Sequence, residues 1–212
     1  EGVPLESVEL VVAGGRCVGL DYVPSAGERI AIYPVFEAFE LNGLRRIHKR
    51  PLRQPRFVAD AHLGKLAEYL RMIGFDTLFR NDFRDDELVR LSSEQERIVL
   101  SRDKGLLNRA AVTRGYFVNS THPPEQIEEV LERFDLYGLM RPLSRCIKCN
   151  GELERVDKSE IIGRLQPATA RHHRHFWQCT GCGRVYWKGS HYTRMRRRIA
   201  AWRRRRARRQ TK

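Results

Sequence analysis

No apolar run in this chain approaches the roughly 20 residues that cross a bilayer, and Glu1-Gly2-Val3-Pro4-Leu5 offers neither a basic nor an apolar leader segment. A membrane span is therefore excluded, secretion is not expected, and a cytoplasmic setting is. Cysteine is scarce, with five in 212 residues, and in a cytosolic protein metal ligation outranks disulfides as their use. Acid is missing from one end. From His191 to Lys212 there are ten Arg, one Lys and no Asp or Glu, so this segment carries +11 of the formal charge of +14. A run of that kind neutralises phosphates and displaces counterions, which gives salt-sensitive affinity for nucleic acid. A solubilising tail or a contact with anionic lipid are the plainer readings of the same charge.

What is present is sufficient for a real core. The hydrophobic content of 41% lies far above that of a disordered chain, and the length fits one or two domains, or small modules in series. Within the basic segment Tyr192, Met195, Ile199 and Trp202 fall at i, i+3, i+7 and i+10, one stripe of a helix. A docked helix is expected there, pointing Arg194, Arg196, Arg197 and Arg198 outward. Arg203, Arg204, Arg205, Arg206, Arg208 and Arg209 follow without an apolar seam and are expected to lack fixed structure unless RNA orders them.

Four of the cysteines form two C-x-x-C knuckles, Cys146-Ile-Lys-Cys149 and Cys179-Thr-Gly-Cys182, separated by 29 residues. Each knuckle presents two thiolates from one tight turn, and two knuckles complete the S4 tetrahedron that zinc prefers. Four sulfurs close the shell, so a structural Zn²⁺ is expected and the ribbon is a folding staple. Asn150-Gly151, Gly181 and Gly183 suit backbone that must turn back with positive φ. The spacing exceeds the usual one and is expected to contain more than one hairpin turn. Arg171-His172-His173-Arg174-His175 reads as a basic loop, and Cys17 as a buried small hydrophobe.

Residues 56 to 135 alternate strand-like and helix-like stretches. Strands are expected at Arg56–Ala59, Phe75–Phe79, Arg97–Leu100 and Tyr116–Val118. Helices are expected at about His62–Ile73 with Gly74 as C-cap, Asp85–Gln95, Lys104–Arg114 and Pro124–Phe134. The pattern implies an α/β fold, a parallel sheet with flanking helices on its faces. In such sheets the functional crevice lies beyond the carboxyl ends of the strands. Asp60 falls there, as do Asp85, Asp86 and Glu87, and Asp103 in Ser101-Arg-Asp103. Clustered carboxylates suit Mg²⁺ or Mn²⁺, and such ions activate water at a phosphodiester. Asp at a strand-to-helix junction is equally a preferred N-cap, so ligand and cap both stand as readings, with one of Asp85 and Asp86 expected to cap. Lys65 is read as a phosphate contact or a solvated lysine, and His62 as a first-turn surface residue.

The stretch Phe57-Val-Ala-Asp60-Ala-His-Leu-Gly-Lys65-Leu-Ala-Glu-Tyr-Leu-Arg71, with Gly74-Phe-Asp-Thr-Leu, Asp85-Asp-Glu-Leu, Leu100-Ser-Arg-Asp103-Lys-Gly-Leu and Cys179-Thr-Gly-Cys-Gly-Arg-Val-Tyr-Trp-Lys-Gly-Ser-His191, closely resembles the bacterial Mut-seven C-terminal RNase family over about residues 56 to 200. The resemblance implies a PIN-like nuclease domain with an appended zinc ribbon, a divalent-metal ribonuclease whose acids are Asp60, Asp86 and Asp103. PIN nucleases usually add a fourth acid after the next strand. Here Tyr116-Phe-Val118 leads into Asn119, whose carbonyl is the remaining candidate ligand at that place.

Residues 8 to 36 are similar to the second half of a ubiquitin-like β-grasp domain of the sulfur-carrier type, through Ala13-Gly-Gly15 and Ala26-Gly-Glu-Arg-Ile-Ala-Ile-Tyr-Pro34. The chain is expected to begin inside that domain. Sulfur carriers end in a free Gly-Gly, whereas this chain runs on through Leu41 to Pro55, so sulfur transfer is not expected; recruitment of a protein partner is a further reading of this module. The expected organisation is a partial β-grasp domain at 1–50, a PIN-like nuclease domain at 56–138, a zinc ribbon at 141–190 and a basic C-terminal helix with its tail at 191–212. Two functions follow: a ribonuclease acting on structured RNA such as tRNA or rRNA, or a non-catalytic factor that binds RNA or the ribosome with the same parts.

Overall fold

The computed structural model describes residues 8–34, 55–112 and 114–210, with side chains as far as Arg204 other than those of Glu9 and Pro34. The expected run-on from Leu41 to Pro55 lies, but for Pro55, outside the described residues. The first sheet holds β1 (Val8–Ala13), β2 (Arg16–Val18) and β3 (Ile30–Pro34) in the order β2-β1-β3, all antiparallel. Ala13 pairs with Arg16 across Gly14 and Gly15, whose φ values of 54° and 81° are those of a two-residue type I′ hairpin that side chains resist. Cys17 is half-buried rather than buried, because it lies on a three-residue edge strand.

The second sheet is parallel throughout: β4 (Phe57–Ala59), β5 (Thr77–Phe79), β6 (Ile98–Ser101) and β7 (Gly115–Phe117) in the order β5-β4-β6-β7. Its central strands are apolar on both faces, as a sheet covered by helices requires. Phe57, Ala59, Ile98 and Leu100 turn to one side, where α1 (Gly64–Met72) and α4 (Pro123–Arg133) supply Leu66, Leu70, Ile127, Val130 and Leu131. Val58 and Val99 turn to the other, against Leu88 and Leu91 of α2 (Asp85–Gln95) and Leu106 and Leu107 of α3 (Lys104–Leu107). Each large side chain sealed this way contributes about 1.5–3 kcal/mol. The chain leaves β4 for β5 on one side and returns to β6 on the other, so strand order reverses between β4 and β6. That is where a crevice opens in such sheets.

Two helices differ from expectation. The first begins as a 3-10 turn at Ala61–Leu63 before α1, whose C-cap is Ile73 rather than Gly74; Gly74 follows it with φ 100°. A Cβ at Gly74 would lie 2.3 Å from the Arg141 carbonyl oxygen, so no other residue fits there. The helix expected over Lys104–Arg114 stops at Leu107. After Leu106 and Leu107 the sequence offers no further large apolar side chain at helical spacing, and a helix this short has little to hold it but packing.

The third sheet, β8 (Leu153–Val156), β9 (Phe176–Cys179) and β10 (Val185–Trp187), is antiparallel in the order β10-β9-β8. Between the knuckles the chain folds not into additional hairpin turns but into two short helices, α5 (Lys158–Ile161) and α6 (Pro167–His172). Pro167 supplies the first helical position of α6, and Ile161 anchors α5 as its buried residue. Of the expected basic loop, Arg171 and His172 end α6 and only His173 to His175 lead into β9.

The chain closes with α7 (Ser190–Gln210). Met195, Ile199 and Trp202 are buried in the same core as α1, with Tyr192 packed at its margin. The Arg203–Arg209 stretch, expected without fixed structure, continues as helical backbone to Gln210. Arg and Ala are strong helix formers, and a helix already docked needs only propagation, which is far easier than nucleation. Among the described residues no helix is long and apolar enough to cross a membrane.

Candidate functional site

At the carboxyl ends of β4 and β6 two acids are tied to one hydroxyl. Asp60 leaves β4 with its N–H bonded to the Leu100 carbonyl at 3.0 Å, so the two strands stay paired up to the acid itself. Asp60 Oδ1 accepts the Ala61 N–H at 2.5 Å, and Oδ2 accepts the Ser101 hydroxyl at 2.7 Å. Ser101 is fully buried, and its Oγ accepts the Asp103 N–H at 2.9 Å. Asp103 in turn caps α3, its Oδ1 accepting the Gly105 N–H at 2.7 Å. The capping reading of these aspartates is therefore met, and each oxygen that accepts one hydrogen bond keeps a lone pair. Sequence reasoning misses the role of Ser101; its signal is a hydroxyl two residues before an acid at a strand end.

The acids after β5 are differently engaged. Arg109 reaches Asp86 Oδ1 at 2.5 Å and Asp85 Oδ2 at 3.2 Å. Asp86 is largely exposed, and the residue at the N-cap of α2 is Arg84, not an aspartate. The expected capping by Asp85 or Asp86 is therefore not seen; both stand in the first turn, where negative charge suits the helix dipole. Glu87 reaches Arg80 instead.

After β7, Asn119 stands where the fourth acid was sought, and a carboxylate comes to it from α4. Glu129 Oε1 accepts the Asn119 N–H at 2.8 Å, the Asn119 side-chain amide at 2.7 Å and the Tyr116 hydroxyl at 2.8 Å. Burial alone would raise the Glu129 carboxyl, but these donors and the Ser120 N–H hold it below the usual carboxylate range. Burial and Glu129 push the Tyr116 hydroxyl well above its ordinary value. Arg102 locks the same loop, donating to the carbonyls of Val118, Asn119 and Ser120 at 2.8, 2.5 and 2.7 Å.

The cysteine knuckles meet. The sulfurs of Cys146, Cys149, Cys179 and Cys182 lie within 4.8 Å of one another. Cys149 and Cys179 are 3.3 Å apart, Cys146 and Cys182 3.7 Å, against roughly 3.8 Å for a tetrahedron with zinc–sulfur bonds of about 2.3 Å. The quartet can hold one zinc ion. Among the described residues it is the one group of three or more Cys, His, Asp or Glu side chains gathered this tightly; Asp60, Asp86 and Asp103 do not close to such spacing. Asn150, at φ 70°, turns the first knuckle, and Gly183, at φ 68°, follows the second. A Cβ at Gly151 would lie 2.8 Å from Cys179 Sγ. Burial opposes ionisation of Cys146, but the Tyr186 hydroxyl and the N–H groups of Cys149 and Lys148 bring its thiol down to about 6. Burial and the neighbouring thiols push Cys149 up to about 12. A cation among the four sulfurs would favour their thiolate forms, which burial and the neighbouring thiols oppose at Cys149.

This quartet is bolted to the parallel sheet. Arg71, at the end of α1 and almost fully buried, donates to the carbonyls of Thr77, Ile147 and Lys148 at 2.8, 3.3 and 2.8 Å. Asn150 Oδ1 accepts the Thr77 N–H at 2.9 Å and its amide donates to Asp76 Oδ1 at 2.7 Å. Asp76 is itself held by buried Arg97 at 2.7 Å. A parallel sheet with two acids at its switch point, closed by a four-cysteine ribbon, is the architecture that the sequence motifs implied. The profile of the Mut7-C RNAse domain matches residues 55–199, and that of the Mut7-C ubiquitin matches residues 1–40. The chain belongs to the Mut7-C RNAse domain family. Neither curated proteins nor solved structures yield a match.

A member of the Mut7-C family carries an RNase-type domain, so the distribution of cations over this one bears on how RNA would meet it. Arg194, Arg196, Arg197, Arg198, Arg203 and Arg204 are all exposed on α7, while the side chains of Arg205, Arg206, Arg208 and Arg209 lie outside the described residues. Lys65 does not stand free, as it donates to Glu68 at 2.7 Å and lies 5.6 Å from the Tyr69 ring centre. Glu68 also takes Lys148 at 2.6 Å, and the two lysines hold its carboxyl below the usual range. His62 is exposed, as its surface reading required.

Proposed function

We propose that this chain is a divalent-metal-dependent ribonuclease of PIN type acting on structured RNA such as tRNA or rRNA. The observation that carries the reading is the Ser101 joint: one buried hydroxyl holds the Asp60 carboxylate and the Asp103 backbone together where strand order reverses. Asp60 and Asp103 are the ligands proposed for Mg²⁺ or Mn²⁺, with Asp86 as a third acid, Asp85 beside it, and the Asn119 carbonyl at the fourth place. The donor set fits, since these hard ions take oxygen and keep several waters. Such an ion would supply a water acidic enough to attack a phosphodiester at neutral pH. The protein's own part is to hold the acids: Ser101 fixes Asp60, the Gly105 N–H fixes Asp103, and Glu129 with Arg102 sets the loop of Asn119.

In this proposal Zn²⁺ in the cysteine quartet has a structural role, since a closed S4 shell leaves no position for substrate. Cleavage of total RNA with Mg²⁺ or Mn²⁺, comparing wild type with Asp60→Asn and Asp103→Asn, tests the proposal. Loss of cutting in both variants is expected. Variants that cut like wild type, or a wild type that cuts nothing, would overturn it.

A second reading has one observation in its favour. Arg109 pairs with both Asp85 and Asp86, and Asn119 stands in place of an acid, so the carboxylate edge carries less free negative charge. On that reading the chain is a non-catalytic factor that sits on RNA or the ribosome through the arginines of α7. The β-grasp fragment would serve a protein partner under either reading.

A further inference from the structure

A cavity of about 600 Å³ lies between the end of α1, the first cysteine knuckle, β10 and the start of α7. It shares no residue with the carboxylate edge, and its size is that of a small-ligand site, about 300–1,000 Å³. Its lining combines two chemistries. Tyr186, Trp187 and Tyr192 supply aromatic surface, while Lys148, Arg184, Arg194 and Arg198 supply positive charge, and among the described residues no acid lines it.

The cations are not equally free. Lys148 is paired with Glu68, Arg198 donates to the Tyr69 hydroxyl at 3.0 Å, and Arg194 contacts the His191 ring at 3.1 Å. Arg184 is exposed and has no acidic partner among the described residues. Trp187 remains 36% exposed, although every other tryptophan here is better covered. Its position depends on Gly189, where a Cβ would lie 2.7 Å from the indole nitrogen. Trp187 meets the His173 ring at 6.3 Å on one side, and an exposed indole lining the same cavity as an arginine without an acidic partner suits single strands: rings take bases and cations take the phosphates between them.

We propose that this cavity holds an unpaired nucleobase of single-stranded RNA, stacked on Trp187, with its flanking phosphates on Arg184 and Arg194. The inference rests on the RNA-directed reading above and adds where an unpaired strand is held. Charge alone would not select this place, because the arginines of α7 offer as much in the open; the aromatic wall does.

The test uses the full, zinc-loaded chain and a short oligouridylate, an abasic strand of the same length and a polyglutamate peptide as probes. Trp187→Ala is expected to weaken oligouridylate binding roughly tenfold or more with the salt dependence unchanged, and Trp187→Phe to restore most of it. Arg184→Ala is expected to flatten the salt dependence by about 0.7 in log–log slope, for the one phosphate it no longer neutralises. Gly189→Ala, which displaces the indole without removing it, is expected to act like Trp187→Ala and covers the case in which that variant fails to fold.

The proposal is overturned if wild type does not bind oligouridylate, if Trp187→Ala or Gly189→Ala binds it as wild type does, or if the abasic strand binds equally well. It is also overturned if polyglutamate binds as tightly, which would make the cavity a site for acidic protein. Asp60→Asn separates the two readings. If it stops cleavage while Trp187→Ala leaves binding intact, only this inference falls; if it still cleaves while Trp187→Ala loses binding, only the nuclease reading does.

Discussion

The Ser101 hydroxyl donates to Asp60 Oδ2 across 2.7 Å, although the two lie 41 positions apart in the chain. The bond fixes a carboxylate on one strand from the end of its neighbour, and the same oxygen receives the Asp103 N–H. Ser101→Ala is therefore expected to cost about 1–2 kcal/mol of stability and to reduce cleavage, while Ser101→Thr, which keeps the hydroxyl, loses less activity. Denaturant midpoints and single-turnover cleavage measure the two effects. An alanine variant with full activity would mean that Asp60 needs no such support.

Arg71 links the sheet to the ribbon with three backbone carbonyls. Arg71→Lys cannot present the same fork of donors, and Arg71→Met leaves buried carbonyls without partners at about 1–3 kcal/mol each. Both variants should melt earlier and release zinc faster to a chelator, the methionine variant more so. Unchanged zinc release would show that the knuckle keeps its shape without the bolt.

The Asp76 carboxyl is opposed by burial, yet Arg97 and Asn150 hold it below its ordinary value. A carboxyl whose folded pKa is depressed stabilises the protein above its unfolded value, near 4, and that contribution is lost as pH falls through the unfolded and then the folded value. Asp76→Asn should cost about 3 kcal/mol at neutral pH by leaving Arg97 unpaired, and should unfold with a shallower acid limb than wild type. Parallel acid limbs would remove Asp76 from the account of acid sensitivity.

Trp202 packs edge-on against Tyr69 at 6.1 Å and is buried. Trp202→Ala is expected to destabilise by about 3–5 kcal/mol, whereas removal of everything after Trp202 should leave stability near wild type and weaken RNA binding. The truncated chain should show a flatter dependence of affinity on salt, by about 0.7–0.9 in slope for each phosphate that its missing arginines would have neutralised. Equal slopes would mean that those arginines touch no RNA.

How much of this was legible in the sequence depended on whether a feature was local. The cysteine spacing, the acids at strand ends and the stripe of Met195, Ile199 and Trp202 are local patterns, and they announced the quartet, the candidate edge and the docked helix. Ser101, Arg71 and Glu129 were not legible, because each acts on a group brought to it by strand pairing or helix packing. Arg71 on a helix reads as a solvated cation until the knuckle carbonyls close over it. Lys104–Arg114 misled because its composition permits a helix while its apolar side chains run out after Leu107. Arg203–Arg209 misled in the opposite direction, because a segment with no core of its own continues a helix begun elsewhere.

The bond from Arg198 to Tyr69 joins residues 129 positions apart, so α7 can meet α1 only late in synthesis. The face of α1 that receives Met195, Ile199 and Trp202 emerges early and stays uncovered while the sheet, the ribbon and its two short helices are made. Only when α7 arrives is the last apolar wall closed. A nascent chain halted before that point would carry the carboxylate edge with an open hydrophobic flank, a target for chaperones and proteases. The arginine helix is thus delivered in the same step that covers this face of α1.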